Sequence, residues 1–315
     1  MNTPPTREIH QVLTPETIQM LVLIAEKGSF AAAARELNLV PSALTYRVRQ
    51  VEDALDVLLF DRKSRHATLT PAGRELIDEG RQLLNSVEQI AHRVKRIATG
   101  WEPLLTISAD TIVSRKVLFE LCEKFFALNV PTQLRIREEV LDGTWETLIA
   151  GHSDLAIGVS STLQSSDIHS LPLSKISFVF VVSPQHPLAT APEPLEEQLI
   201  AQYQSVAAAD SARYARRISY GVQAMQRVFT VPNLHAKVLA HRMGLGCGFL
   251  PYSHAKPYLE TGELIIKKVA ACPRVVQSNY AWRKPAHGRA VGKGLHWWLT
   301  ELESEETRQA LMGDE

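Results

Sequence analysis

Between Leu39 and Leu55 the apolar residues Leu44, Val48, Val51 and Leu55 recur at steps of four, three and four, which puts them on one core-facing stripe of an α-helix. Ser42, Thr45, Tyr46 and Arg49 follow the same kind of spacing on the opposite face, as a short, polar and cationic stripe. Pro41 suits the first helical turn, where its missing N–H would have had no partner anyway. Upstream, Ser29 to Asn38 predicts a second short helix, with Ser29 as N-cap and Phe30, Ala33, Ala34 and Leu37 inward. Small alanines on that inner face let a neighbouring helix cross closely. Two such helices joined by a tight turn at Asn38 to Val40 describe a helix-turn-helix, whose second helix enters a DNA major groove. An αα-hairpin of any globular domain has the same periodicity, so spacing alone leaves both open.

The flanking pattern extends this unit. Residues 1–13 are polar, contain Pro4 and Pro5, and are expected to be a frayed leader. Thr14 then caps a helix carrying Ile18, Leu21, Val22 and Ala25 on one face and ending at Gly28. After Leu55, the stretch DVLLFDRKSRHATLT predicts two short strands around a tip crowded with Arg62, Lys63, Arg65 and His66, a basic wing suited to a phosphate backbone. Thr70 and Pro71 open another helix in which Leu76, Gly80, Leu83, Val87, Ile90, Val94 and Ile97 recur in a 4,3,4,3 pattern. Sustained for about three heptads, this is a coiled-coil seam and predicts a dimer. A helix over residues 71–98 would be about 40 Å long at the rise of an α-helix.

From Leu104 the pattern changes to short apolar strands alternating with amphipathic helices. LLTISA, QLRIREEV and DLAIGV read as strands, Ser114 to Leu128 as a helix with Val117, Leu118, Leu121, Phe125 and Leu128 inward, and WETLIAGH as another helix. FVFVVS, Ser205 to Ala209 and VVQSNYAWRK add further strands, Ser211 is placed to cap a helix over ARYARRI, and GKGLHWWLTEL closes with Trp297, Trp298 and Leu302 inward. Strands separated by helices imply βαβ crossovers and an open parallel sheet covered on both faces.

Composition narrows the function classes without choosing one. The chain has 315 residues, 45% of them hydrophobic, which allows two or three domains with real cores. Its 34 Lys and Arg balance 34 Asp and Glu, so any DNA-binding surface must be a local patch. Cys122, Cys247 and Cys272 are odd in number and lack metal-ligand spacing, which favours buried thiols over a disulfide framework or zinc site. No signal-peptide run or membrane-length apolar stretch is present, and a cytoplasmic location is expected. Nucleophile-elbow, metalloprotease and Walker patterns are missing, and GLGCGF follows a helix rather than a strand, the wrong order for phosphate binding. No catalytic residue, metal or cofactor is therefore expected.

Residues 14–75, with GSFAAAARELN, PSALTYRVRQVEDAL, LLFDR and LTPAGREL, resemble the winged helix-turn-helix of LysR-type transcriptional regulators. The run KVLAHRMGLGCGFLPYSHAKPYLETGEL resembles that family's effector domain, in which a helix leads to a glycine-rich turn and an apolar strand ending in proline. The resemblance implies an α/β protein with an N-terminal all-α winged helix-turn-helix, a long linker helix and two open α/β subdomains of periplasmic-binding-protein type. The corresponding boundaries are 1–70 for the DNA-binding domain, 71–100 for the coiled-coil linker, 101–172 plus 275–304 for effector subdomain I, 173–274 for subdomain II and 305–315 for a C-terminal tail. Pro41, Ser42, Thr45, Tyr46 and Arg49 become candidates for base or groove contact, and Ser29, Arg35, Arg62, Lys63, Arg65 and Thr68 for phosphate contact. An Arg is usual in the family where this chain has Tyr46, which bears on the operator sequence rather than on the mode of binding. Leu76, Leu83, Val87, Ile90, Val94 and Ile97 become candidates for dimerisation. The partners implied are double-stranded DNA as an interrupted inverted repeat, a small-molecule effector, a homodimer that pairs into a homotetramer, and RNA polymerase in the case of an activator.

In the family the backbone crosses between the subdomains twice, here near Pro172 to Ser177 and Ala270 to Val276, leaving a cleft at the strand C-termini. Loops at those ends nominate Asp110, Thr111, Glu139, Leu141, Trp145, Asp210, Ser211, Phe229, Thr230 and Cys247 as effector-binding candidates. Predicted helix starts at Ser114 and Ser211 favour an anion while Asp110 and Glu139 oppose one, and Trp145 and Phe229 could stack a ring. A small aromatic or carboxylate metabolite is the expected effector. The rival is a cytoplasmic small-molecule-binding protein of periplasmic-receptor fold that retains a vestigial DNA-binding domain.

Overall fold

In the computed structural model, which describes residues 6–61, 67–160, 165–212, 226–270, 274–284 and 290–313, the chain divides into a body ending at Ala91 and one beginning at His92. The first holds α1 (Thr6–Val12), α2 (Pro15–Lys27), α3 (Phe30–Glu36), α4 (Pro41–Leu55) and most of α5 (Pro71–Thr99). The expected leader is thus helical from Thr6. Its end is held because Val12 and Leu13 pack on the core that Leu21, Ile24, Ala33, Ala34, Leu44 and Val51 form. Thr14 caps α2 by accepting from the Thr17 N–H, and Ser29 caps α3 by accepting from that of Ala32. Leu37, expected inward, is exposed at the end of α3.

The expected two-stranded wing is reduced, within the described residues, to one antiparallel bridge between Phe60 and Leu69, with Asp61 N–H donating to the Thr68 carbonyl at 2.8 Å. Buried Glu52 holds its base by accepting from the N–H groups of Leu59 and Phe60. The Thr70 hydroxyl donates to the Leu58 carbonyl and accepts from Gly73 N–H, opening α5 against the same segment. A Cβ on Gly73 would sit 2.1 Å from the Leu59 carbonyl oxygen, which explains the glycine in LTPAGREL.

In the second body, β1 (Leu104–Asp110) lies between β2 (Gln133–Glu139) and β3 (Leu155–Ser160), all parallel, with α6 (Arg115–Ala127) and α7 (Asp142–Ile149) as crossovers. β4 (Ile168–Val182) follows, then α8 (Glu197–Ile200), β5 (Ser205–Ala208), β6 (Val228–Val231), α9 (Leu234–Arg242), β7 (Gly248–Pro251), α10 (Tyr252–Glu260), β8 (Ile265–Ile266), β9 (Arg274–Arg283), α11 (Lys293–Glu301) and α12 (Glu305–Leu311). The purely parallel sheet expected from the βαβ pattern is mixed instead. β9 runs antiparallel to both β3 and β4, and β4 pairs antiparallel with β7 and β8, so seven strands share one sheet while β5 and β6 form a small parallel pair. The register of β4 shifts at Pro172, which has no N–H for the ladder, so one long strand bends where it serves two groups of partners.

The C-terminal residues 305–313, expected to be a tail, include α12, whose Leu311 and Met312 enter the main core and whose Leu311 carbonyl accepts from Ser114 N–H at 2.7 Å. Trp298 and Leu302 are buried as expected, whereas Leu128 is exposed. Buried Glu102 accepts from Gly294 and Leu295 N–H groups at the start of α11, so the residue that interrupts the linker pattern also caps the last helix.

Candidate functional site

Two groups of functional candidates emerge, one in each body. On α4, Leu44, Val48 and Val51 are buried while Pro41, Ser42, Thr45, Tyr46 and Arg49 are exposed, Tyr46 to 64% of its surface. The helix turns this way because Asn38, with φ of 54°, makes the sharp turn after α3 and because Ala33 and Ala34 allow α4 to pack closely. Val40 provides no side-chain cap, but Pro41 has no N–H and Ala43 N–H donates to the Val40 carbonyl at 3.0 Å, so of the first turn of α4 at most the Ser42 N–H is left for an outside acceptor. Thr45 donates its hydroxyl proton to the Pro41 carbonyl, leaving its lone pairs free, and Gln50 Nε2 donates to the Tyr46 hydroxyl at 3.3 Å. Gln50 extends the polar stripe by one turn and was missed by the sequence pattern. It sits four residues after Tyr46, a spacing that marks it in hindsight.

Among the phosphate candidates, Ser29 is occupied as the α3 cap and Arg35 and Thr68 are exposed, while Arg62, Lys63 and Arg65 lie outside the described residues. Among the described residues Arg35 and Arg49 have no ion-pair partner, so their charge is available. The seam of α5 divides. Leu76 packs in the core of the first body, and a Cβ on Gly80 would lie 2.6 Å from Ile18 Cγ2, so this turn is in close contact with α2. Leu83, Val87, Ile90 and Val94 are exposed apolar residues on one stripe, and the Ile97 side chain is outside those described.

The second body holds a cavity of about 420 Å³ among the C-terminal ends of β1, β3 and β5, the turn after β2, β7, the middle of β4, the first half of β9, and the first turns of α7 and α9. Asp110, Thr111 and Leu141 line it. Asp110 Oδ1 accepts from Ile112 N–H at 2.9 Å and Oδ2 from Leu141 N–H at 2.6 Å, tying β1 to the start of α7. Burial outweighs those bonds and pushes the Asp110 carboxyl up to about 7. A Cβ on Gly158, whose φ is +95°, would come within 2.8 Å of Asp110 Cβ, so the glycine lets β3 approach. Asp142, raised by burial, completes the acidic side of the wall.

The other candidates stand outside that wall. Glu139 accepts from the Ser211 hydroxyl at 2.8 Å and pairs with Arg137, while Ser211 Oγ accepts from Val140 N–H and Asp210 from Ala212 N–H. These bonds pin residues 210–212 onto the β2–α7 turn, where a Cβ on Gly143 would lie 1.9 Å from Ser211 Oγ. The helix expected after Ser211 lies outside the described residues, as does Cys272. Trp145 is a core residue packed with Leu148, Ala156 and Val159 rather than a ring for stacking. Phe229 and Thr230 face outward on β6. Cys247 is buried with Phe180 and Leu188, and burial pushes its thiol up to about 11. Sequence spacing missed Lys237, Gln277 and Ser278 in the wall because none sits at a strand's C-terminal loop. Lys237 is spaced three residues from Leu234 on the inward stripe of α9, an odd place for a charge and the one signal that could have found it.

Among the described residues no cluster of metal-binding side chains occurs, and no helix is long and apolar enough to cross a membrane. Residues 15–74 match the family described as "Bacterial regulatory helix-turn-helix protein, lysR family", and residues 98–303 match "LysR substrate binding domain". The chain is 35% identical over 293 residues to the probable HTH-type transcriptional regulator YhaJ of Escherichia coli, covering 93% of this chain and 96% of that protein. It is 32% identical to the HTH-type transcriptional activator AllS of Klebsiella pneumoniae, covering 83% and 97%. The crystal structure of CbnR, a LysR family transcriptional regulator, shares the fold with a TM-score of 0.60 at 15% identity, covering 93% of this chain and 99% of that one. A helix-turn-helix with its polar stripe in solvent, an α/β body with a small-molecule-sized cavity, and relatives matched almost end to end converge on one conclusion: this chain belongs to the LysR family of DNA-binding transcriptional regulators with an effector-binding domain.

Proposed function

We propose that this regulator reads an interrupted inverted repeat as a homodimer, with the Ser42, Thr45, Tyr46 and Arg49 stripe of α4 in successive major grooves and the cavity of the second body receiving a small-molecule effector. The observation that carries this reading is the two-sided character of α4, in which apolar residues are buried and polar ones are left open at an uncapped N-terminus. Ser29, Arg35 and Thr68, with the basic tip at Arg62, Lys63 and Arg65, serve the phosphate backbone and give affinity without sequence preference. Leu83, Val87, Ile90 and Val94 form the dimer seam, since an apolar stripe at heptad spacing on an exposed helix is stabilised by a second copy of itself. A pair of such dimers makes the tetramer.

In this reading residues 101–172 plus 275–304 form subdomain I and residues 173–274 form subdomain II, the cavity draws its lining from both ranges, and an effector there alters DNA binding by favouring one of two arrangements of the assembly. The protein acts in the cytoplasm as a regulator and not as an enzyme, and touches RNA polymerase where it activates. Selection of binding sites from random DNA with the full-length protein tests the reading. Enrichment of a two-fold repeat with half-sites one or more helical turns apart is expected. Salt-dependent binding without any enriched sequence would contradict it and favour a ligand-binding protein with a vestigial head.

A further inference from the structure

We infer that the cavity takes a ligand carrying a single carboxylate or comparable anionic group, with the Lys237 ammonium as its counter-ion and the Ser278 hydroxyl as its hydrogen-bond partner. This rests on the assignment of the cavity as the effector site. Lys237 is only 8% exposed and forms part of the wall, yet among the described residues its ammonium has neither a hydrogen bond nor an ion pair. Ser278 Oγ is buried in the same wall and is also without a partner among the described residues. Buried polar atoms are nearly always satisfied, and a largely buried ammonium without a counter-ion is unfavourable, so both groups await an outside partner.

Of the acidic and amide groups in the wall, Asp142 makes no ion pair with Lys237 and is raised by burial and by Asp210, and the others are engaged. Asp110 uses both oxygens on backbone N–H groups, and Gln277 Nε2 donates to the carbonyls of Ser174 and Ser278. Asp110 is not the missing counter-ion: the charges acting on it are those of Asp210 and Glu138, whereas burial alone acts on Lys237. Burial brings Lys237 down only to about 8, so it carries its charge at neutral pH. His241, one turn further along α9, is brought down to about 3 and stays neutral, leaving Lys237 as the cation of that helix face. The positive end of α9 adds to the same field, because Leu234 of its first turn also lines the cavity.

A cationic ligand would add a second unpaired positive charge beside Lys237, and a neutral one would leave the first uncompensated. The remaining wall is apolar, including Ile112, Val159, Ile176, Phe178 and Phe249, and suits a hydrophobic body behind the anionic head. The volume of about 420 Å³ falls in the range of small-molecule sites.

The test is thermal unfolding of the full-length protein with a matched set of probes: phenylacetate, phenylacetamide and phenethylamine, and the same three head groups on cyclohexyl and linear pentyl bodies. Only carboxylates should raise Tm. Their half-maximal concentration should rise at least tenfold in Lys237→Met and by a smaller factor in Ser278→Ala. Lys237→Met alone should unfold no lower than the parent, since it removes an unpaired charge from an apolar wall. If it does not fold, Ser278→Ala carries the comparison. Amides or amines that stabilise as strongly as carboxylates would overturn the inference, as would carboxylate stabilisation unchanged in both variants. Should no probe of any head group shift Tm, the assignment of the cavity as an effector site fails instead, and the anion inference with it.

Discussion

In the proposed reading, the exposed face of α4 and the cavity of the second body solve recognition in opposite ways. On α4 the polar groups stay hydrated: Arg49 and Tyr46 stand in solvent, and little is strained or buried to hold them. In the cavity Asp110 and Lys237 have lost their water and their proton affinities have moved far from ordinary values. A polymer of phosphates supplies its own field, so its reader needs only reach and register. A small molecule brings few contacts, so its site must hold polar groups already desolvated and positioned. Substitutions on the first surface should therefore leave stability almost unchanged at any pH, whereas those at Asp110 and Lys237 should change how stability depends on pH.

The sharpest way to break that contrast is a pair of substitutions on one helix. Leu44→Ala removes a fully buried side chain and should cost about 2 to 5 kcal/mol of stability, while Tyr46→Ala, two residues on, should change stability by less than about 0.5 kcal/mol. Chemical denaturation of both variants checks this. In the second body, Gly143→Ala places a methyl group against Ser211 Oγ and should cost about 1 to 3 kcal/mol. It should weaken effector response while leaving affinity for non-specific DNA unchanged, as fluorescence anisotropy would show.

Proton linkage separates the two regions further. Asp110 is raised from 3.8 to about 7 on folding, so between those values the folded chain binds more protons than the unfolded one. Its contribution to stability is therefore greatest below about pH 4, falls as pH rises to 7 and is constant beyond. Asp110→Asn should flatten that decline in the difference between variant and parent curves. Lys237 is lowered from 10.5 to about 8, which gives the opposite slope, with stability rising from pH 8 to 10.5 and the rise lost in Lys237→Met. The smallest effect is expected at Cys247. With its thiol buried and pushed up to about 11, labelling of the folded protein at pH 7 should be slow and should leave DNA binding unchanged.

How much was legible in the chain follows the same division. The α4 stripes, the Ser29 and Thr14 caps and the apolar stripe of α5 were readable because helical periodicity and capping are local, and an exposed polar face needs nothing from distant residues. The cavity was readable only in part. Asp110, Thr111 and Leu141 were reached from strand ends, but Lys237 and Ser278 join them through the pairing of β4 with β9 and the placement of α9, which no local pattern encodes. Trp145 shows the converse error: a large ring beside a strand end filled the core behind the cavity wall. The helical leader and α12 were missed because each is short, and docking of Val12, Leu13, Leu311 and Met312 on distant cores holds them rather than intrinsic propensity.

The most direct measurement is the ratio of affinities for the selected operator and a scrambled duplex, taken at one salt concentration for the parent and for Thr45→Ala and Arg49→Ala. Loss of a base contact should weaken operator binding by about 1 to 3 kcal/mol and leave the scrambled duplex nearly unaffected, so the ratio falls. Equal weakening on both duplexes, with the ratio preserved, would contradict base reading by this stripe and assign those side chains to the phosphates.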